Sequence, residues 1–295
     1  MSKHRLKSIP VGLCLLAVTF VLGRLAIPFD DAEDSSLESA RPLPPFNTSV
    51  TIVTALYDIH RSDRSFQSYL DWIDLTFQMK FPLVVYCHPT HLEHVKRARK
   101  GMSDITTVIP EVNFPLQNTS GTVKAVIHKL GYEHRHGPEW NCYEYIPLQF
   151  SKFAWISRAI HANPYNTAYF YWIDAGLGRF FPEGQMAIPR LHVFDLLLLD
   201  RVSIQLALRE KMPPRVTLIG SQESPFLGGI FGGGAQPMLK LSTLATQFYH
   251  RELLAQNRMD NEQVCMAKLY RRHRRLFQVL TSQHFPRGHC NVACV

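Results

Sequence analysis

The feature that most constrains this chain is an alternation of strand-like and helix-like segments that begins near Val50. Thr51–Tyr57 is a β-branched apolar run of strand length that ends at Asp58. Ser62 or Asp63 can cap the next stretch, where Phe66, Tyr69, Leu70, Ile73 and Phe77 recur at helical spacing. Pro82 then opens Leu83–Cys87, apolar enough for a buried strand; Thr90 and the charged His91–Lys100 read as a second helix, and Ile105–Ile109 as a third strand. Strands separated by helices at this spacing build a mostly parallel sheet, because each return to the same edge needs a crossover that packs on a face. Ser151–His161 continues the pattern as a helix with Phe153, Ile156 and Ile160 on one stripe, and Tyr169–Ile173 is a strongly β-prone run ending at Asp174. Val216–Ile219 is a further candidate strand, and Met238–Gln256 and Glu262–Leu280 are candidate helices. Asn113–Trp140 resists assignment and is expected to be a loop over the site. The fold class is therefore α/β, with one domain over residues 48–295.

Composition narrows the class further. The chain has 295 residues, 46% apolar and 11% aromatic, which excludes a disordered tail. A formal charge of +8 with 14 His uncounted suits an acidic partner but does not choose among them. One segment alone is long and apolar enough to cross a membrane. Lys3, Arg5 and Lys7 precede an apolar run from Ile9 to Gly23, which Leu25–Phe29 extends beyond Arg24. Asp30, Asp31, Glu33 and Asp34 follow it, so the positive-inside rule keeps the N-terminus cytosolic and exports the rest. The expected organisation is a cytosolic tail over 1–8, a signal anchor over 9–29, a stem over 30–47 containing Pro42, Pro44 and Pro45, and a lumenal domain over 48–295. A cleaved signal peptide and secretion are the alternative, although no A-x-A-like cut follows the run. Asn47-Thr48-Ser49 and Asn118-Thr119-Ser120 are glycosylation sequons, in keeping with export. Cys87, Cys142, Cys265, Cys290 and Cys294 lie on the exported side, enough for two disulfides and one thiol. A nucleic-acid partner would clash with export.

Ligands of open parallel sheets sit beyond the carboxyl ends of the strands, where Asp58 and Asp174 stand. Each can hold a ribose hydroxyl, a base edge or a metal, or else cap a turn. Asp174 is followed by Ala175-Gly176-Leu177-Gly178-Arg179, in which glycines would admit a ligand to the backbone and Arg179 could pair with a phosphate. Gly228-Gly229-Ile230-Phe231-Gly232-Gly233-Gly234 places five of the 16 glycines in seven residues, as in a loop against a flat ligand or a hinge. It is neither a dinucleotide fingerprint nor a Walker loop. Asp260-Asn261-Glu262-Gln263 opens a candidate helix, where acids also serve as caps. Arg271, Arg272, Arg274 and Arg275 form a solvated face, a phosphate-binding one or a Golgi sorting contact, and His284 and His289 are surface residues or ligands.

Taken in order, Thr51–Arg61, Tyr169–Gly176, Gly228–Gly233 and Asn261-Glu262-Gln263 resemble the HtrL/YibB family over about residues 50–270. That family looks like a glycosyltransferase of the GT-A kind, with a Rossmann-type, mostly parallel sheet. The resemblance implies a nucleotide-sugar donor, a glycan, glycoprotein or lipid acceptor, and a Golgi or endoplasmic-reticulum location behind a type II anchor. It implies that Thr54, Asp58, Arg61, Asp174, Gly176, Arg179, Gly228, Gly229, Gly232 and Gly233 surround the donor. Glu262 or Asp260 would supply the base or stabilising carboxylate. Trp172–Gly176 would take the place of an Asp-x-Asp motif that holds Mn2+ or Mg2+ against the diphosphate. Its second acid is Gly176 here. Asp174 with His284 or His289 would then hold the metal, or Arg179 and the Arg271–Arg275 run would replace it. A third alternative is a lumenal carbohydrate- or partner-binding protein without catalysis. A hydrolase is disfavoured by the lack of a G-x-S-x-G elbow.

Overall fold

The computed structural model describes residues 47–135, 137–180, 194, 196–206 and 226–281. The signal-anchor and stem segments, Val216–Ile219, His284, His289, Cys290 and Cys294 lie outside the described residues. Among the described residues, no helix is long and apolar enough to cross a membrane.

The alternation produces the expected elements. Strand β1 (Asn47–Leu56), helix α1 (Phe66–Thr76), β2 (Leu83–Cys87), α2 (Leu92–Ala98) and β3 (Thr106–Pro110) follow one another. Ser65 rather than Ser62 or Asp63 caps α1, its side chain accepting from the Ser68 amide. Then come α3 (Ser120–Lys129), α4 (Pro138–Asn141), α5 (Tyr145–Ala162) and β4 (Thr167–Ile173). The rest comprises β5 (Val202–Leu206), β6 (Phe226–Gly234), α6 (Ala235–Gln247), α7 (Glu262–Arg272) and β7 (Phe277–Leu280).

The seven strands form one sheet in the order β3-β2-β1-β4-β6-β5-β7. β3, β2, β1 and β4 run parallel, β6 is antiparallel to both β4 and β5, and β7 pairs parallel with β5. Alternate side chains feed separate cores on the two faces. Val53, Val84, Phe170 and Trp172 face α3, α5, α6 and α7, whereas Ile52, Val85, Tyr171 and Ile173 face α1 and α2.

Five expectations are corrected. The stretch from Asn113 to Trp140 contains α3 and α4 rather than a single loop; Val123, Val126 and Ile127 bury one side of α3. The Glu262–Leu280 helix stops at Arg272, because Phe277–Leu280 pairs with β5 as the last strand. Met238–Gln256 is α6 followed by a π-helical turn over Phe248–Leu253 and a 3₁₀ turn over Leu254–Gln256. The glycine-rich segment is strand β6, not a loop. A Cβ at Gly232 would strike Tyr171 and the Phe170 carbonyl, and one at Gly233 the Arg201 carbonyl, so these glycines serve tight strand packing. Cys87, Cys142 and Cys265 are buried free thiols, so the expected two bridges are not formed through them.

Candidate functional site

Reversal of strand order between β1 and β4 leaves a crevice at their carboxyl ends, the place where open α/β sheets take ligands. A cleft of about 560 Å³ opens there. Ala55–Ile59 from the end of β1, Asp174–Leu177 after β4, Leu227–Ile230 at the start of β6, and Glu262 with Gln263 at the start of α7 line it. Trp172 and Trp155 stack in its wall with ring planes 4° apart and centroids 6.1 Å apart, and Tyr57 stacks on Trp155 at 5.4 Å.

At the centre lies a buried triad. Lys152 of α5 donates from Nζ to Glu262 Oε1 at 2.9 Å, to Asp174 Oδ1 at 3.3 Å and to the Gly228 carbonyl at 3.0 Å. All three of its donors are thereby used. Burial opposes the ammonium, but the two carboxylates outweigh it and raise the Lys152 pKa above 10.5. Asp174 Oδ1 also accepts from Trp172 Nε1 at 2.6 Å, and the Asp174 amide donates to the Gly229 carbonyl at 2.8 Å. Asp174 is half exposed (48%), whereas Glu262 is 4% exposed. Glu262 Oε2 is buried with no hydrogen bond among the described residues. A Cβ on Gly228 would strike the Glu262 carboxylate, and one on Gly229 would lie 3.1 Å from Asp174 Oδ2. These two glycines make room for carboxylates.

Arginines and aromatics line the other wall. Arg61 donates to Asp63 through Nε (2.9 Å) and Nη2 (2.6 Å) and to the Tyr69 hydroxyl at 2.9 Å, and lies 4.7 Å over the Tyr145 ring. Burial works against its charge, yet Asp63, Tyr145 and Tyr69 raise its pKa, and the same hydrogen bonds lower that of Asp63. Arg64 and Arg179 approach one indole, Trp72, at 6.0 and 5.7 Å. Burial, then the Arg64 charge, lowers the Arg179 pKa. Glu139 at the rim is raised chiefly by burial, with Glu262 adding to it.

Asp58, Arg61, Asp174, Gly176, Arg179, Gly228, Gly229 and Glu262 thus share one cleft. Asp58 also forms the expected turn, Oδ1 accepting from the His60 amide at 2.8 Å. Thr54, Gly232 and Gly233 do not line the cleft: they sit inside strands, and the Thr54 hydroxyl is buried in β1. Asp260 is also outside it, buried with Oδ2 3.7 Å from Lys268 Nζ. Asn261, not Asp260, caps α7 by accepting from the Val264 amide at 3.0 Å, which leaves the Glu262 side chain free to turn toward Lys152. The Arg271–Arg275 run lies away from the cleft, with Arg272 paired to Glu252. Asn118 is exposed at a 3₁₀ turn, as a glycosylated residue must be, and Asn47 begins β1.

Sequence reading missed Lys152, Arg64 and Tyr145. Lys152 left a signal: it interrupts an otherwise apolar helical stripe through Leu148, Trp155 and Ala159.

Among the described residues, Asp174 and Glu262 do not by themselves make a site for a resident divalent cation, and His284 and His289 lie outside those residues. Among the described residues, no cluster of three or more His, Cys, Asp or Glu is placed to hold one. Asp174 Oδ1 and Glu262 Oε1 are both engaged by the Lys152 ammonium. Gly176 offers no donor, and a Cβ there would already lie 3.2 Å from the Tyr69 ring. Its glycine serves packing: Gly178 closes on the Trp72 carbonyl, and Thr76 Oγ1 accepts from the Gly178 amide at 2.9 Å and donates to the Ala175 carbonyl at 3.1 Å.

Comparison with curated proteins gives no match. A protein-family profile described as "Bacterial protein of unknown function (HtrL_YibB)" matches residues 48–291. That span contains all of the sheet but its first residue, Asn47, and every residue of the cleft, and the chain belongs to the HtrL_YibB family.

Proposed function

We propose that this chain is a glycosyltransferase with a GT-A-like domain, moving a sugar from a nucleotide-sugar donor to a glycan, protein or lipid acceptor. The observation that carries the reading is the cleft at the β1/β4 reversal, with a half-exposed carboxylate, Asp174, held in place by a buried lysine. The order β3-β2-β1-β4 also supports it, since β3-β2-β1 matches the mononucleotide-binding half of doubly wound sheets, with β4 across the switch point. In the transfer, an acceptor hydroxyl attacks the anomeric carbon, the nucleoside diphosphate departs, and a carboxylate takes the hydroxyl proton. Asp174 is the better placed of the two carboxylates to meet an acceptor, because Glu262 Oε2 is shut from solvent. Glu262 then serves to position Lys152 and Asp174. A type II anchor over residues 9–29 would hold the domain in the lumen of the Golgi or endoplasmic reticulum.

The test is calorimetric titration of the full-length chain, in detergent, with a panel of nucleotide sugars, followed by assay of sugar release and transfer. Binding of one donor, with turnover lost in Asp174→Asn while donor affinity stays within about threefold, is expected. Lack of binding across the panel by folded protein would leave the second reading, a non-catalytic carbohydrate-binding protein, which the glycine at position 176 favours.

A further inference from the structure

We propose that Tyr145 and Gln149, one turn apart on α5, form a subsite of the cleft that holds the hydroxyls of an uncharged sugar ring and turns acidic sugars away. The inference rests on the transferase reading and deepens it by naming the class of sugar. Its first support is the face that α5 presents to the cleft. Tyr145, Leu148, Gln149, Lys152 and Trp155 recur there at helical spacing, and all five line it. Lys152 has its three donors committed and offers a ligand nothing. Tyr145 and Gln149 are the opposite case. Among the described residues the Tyr145 hydroxyl makes no hydrogen bond, while Arg61 lies over the ring and holds it in place. Gln149 Oε1 is buried without a partner, and its amide nitrogen has none among the described residues either. A side-chain amide whose buried oxygen is unpaired is destabilising unless a partner arrives from outside the fold.

The chemistry of these groups names the ligand. A phenol donates, a side-chain amide both donates and accepts, and the half-exposed Asp174 carboxylate accepts. A hydroxyl answers all three, since it donates and accepts at once, and a sugar ring carries several on neighbouring carbons. The last torsion of a glutamine is broad, so the Gln149 amide can turn either end to such a ring. The second support is charge. Burial raises the Tyr145 pKa most; Glu262, Glu139 and Asp174 add to it, and Arg61 opposes them. The phenol therefore keeps its proton and donates. The same three carboxylates repel an anion placed beside it, so a uronate or other acidic sugar is disfavoured here and a neutral one is not.

The probes are free glucose, galactose, mannose and N-acetylglucosamine, with glucuronate as the acidic control. Each is added to the full-length chain in a sugar-free detergent and followed by saturation-transfer NMR. At least one neutral sugar should bind, and glucuronate should bind about tenfold more weakly or not at all. Tyr145→Phe keeps the ring under Arg61 and removes only the hydroxyl. That variant and Gln149→Ala should each weaken neutral-sugar binding about fivefold or more, with unfolding temperatures unchanged. Binding indifferent to either variant overturns the inference, as does glucuronate held as tightly as the neutral sugars, or no neutral sugar bound by folded protein. A lower unfolding temperature in Tyr145→Phe with affinity intact would make the hydroxyl structural and overturn it too. A nucleotide sugar turned over equally well by wild type and both variants would sink this inference and spare the transferase reading. Neutral-sugar binding that needs Tyr145, with no nucleotide sugar accepted, would do the reverse.

Discussion

Each end of the sheet holds a buried cation, and the two are satisfied in opposite ways. At the amino ends of β2 and β3, Arg99 (2% exposed) donates to the Phe77 carbonyl at 2.8 Å, the Phe81 carbonyl at 3.0 Å and the Thr106 hydroxyl at 2.8 Å. Its partners are neutral, so burial pulls its pKa to about 10, opposed only in part by Tyr165 and Asp104. At the carboxyl end of β4, Lys152 meets two carboxylates and is raised above 10.5 in spite of its burial. Arg99 staples the connection between α1 and β2 and leaves nothing for a ligand. Lys152 joins β4, β6 and α7 while leaving carboxylate oxygens at a cleft, so one end of the sheet is closed and the other is equipped.

Removing each cation tests that contrast, and Lys152 should cost more. Lys152→Met strands Glu262 in a buried place, and a loss of about 3–5 kcal/mol in urea unfolding is expected. Adding Glu262→Gln should recover a good part of it; no recovery would mean that the lysine stem, not its charge, matters. The pH dependence has a definite sign. A lysine raised on folding stabilises fully below its unfolded value of 10.5 and loses that contribution as pH climbs through the raised value. The gap between wild type and Lys152→Met should thus stay level from about pH 7 to about pH 9 and narrow only at higher pH.

Arg99→Met leaves carbonyls without their donor and should lower stability by about 3 kcal/mol. Donor-ligand affinity should stay within about twofold, since Arg99 does not line the cleft. Arg99→Lys should recover little, because one point charge cannot reach the four acceptors set around the fork, the Met79 carbonyl included. An affinity loss as large as that of Lys152→Met would erase the distinction between the two ends. Gly228→Ala sharpens it from the cleft side. The added methyl would strike the Glu262 carboxylate and lie 2.7 Å from Gln263 Cγ, costing about 1–3 kcal/mol and displacing the triad. Affinity should fall with stability here, unlike at Arg99.

The closed end was easier to read than the equipped one. Leu83–Cys87 is a strand with the expected bounds, and Phe66–Thr76 a helix, because period and apolar content report directly on burial. Asp174 and Glu262 were legible as acids at element ends, and both reach the cleft. Gly232 and Gly233 misled, since glycine signals close approach without saying of what; here it is neighbouring backbone and side chains, not a ligand. Phe277–Leu280 reads as helix in the sequence because nothing local announces that β5 lies beside it. Lys152 pairs with residues 22 and 110 positions away, a contact that the topology alone creates.

The smallest expected effect tests how rigidly the equipped end is held. Asn261 caps α7 through the Val264 amide, and Glu262 is the first residue of that helix. Asn261→Ala removes the cap and should cost about 1 kcal/mol of stability. Fraying of the first turn would release Glu262 from Lys152, and Asp174 would then share the ammonium with no competitor. On the proposed transferase reading, turnover should therefore fall by more than ligand affinity does, because Asp174 would meet the acceptor. Asn261→Asp, which keeps a capping oxygen and adds charge favoured at a helix N-terminus, should restore stability. Equal losses in affinity and turnover would mean that α7 shapes the whole cleft rather than the carboxylate side alone.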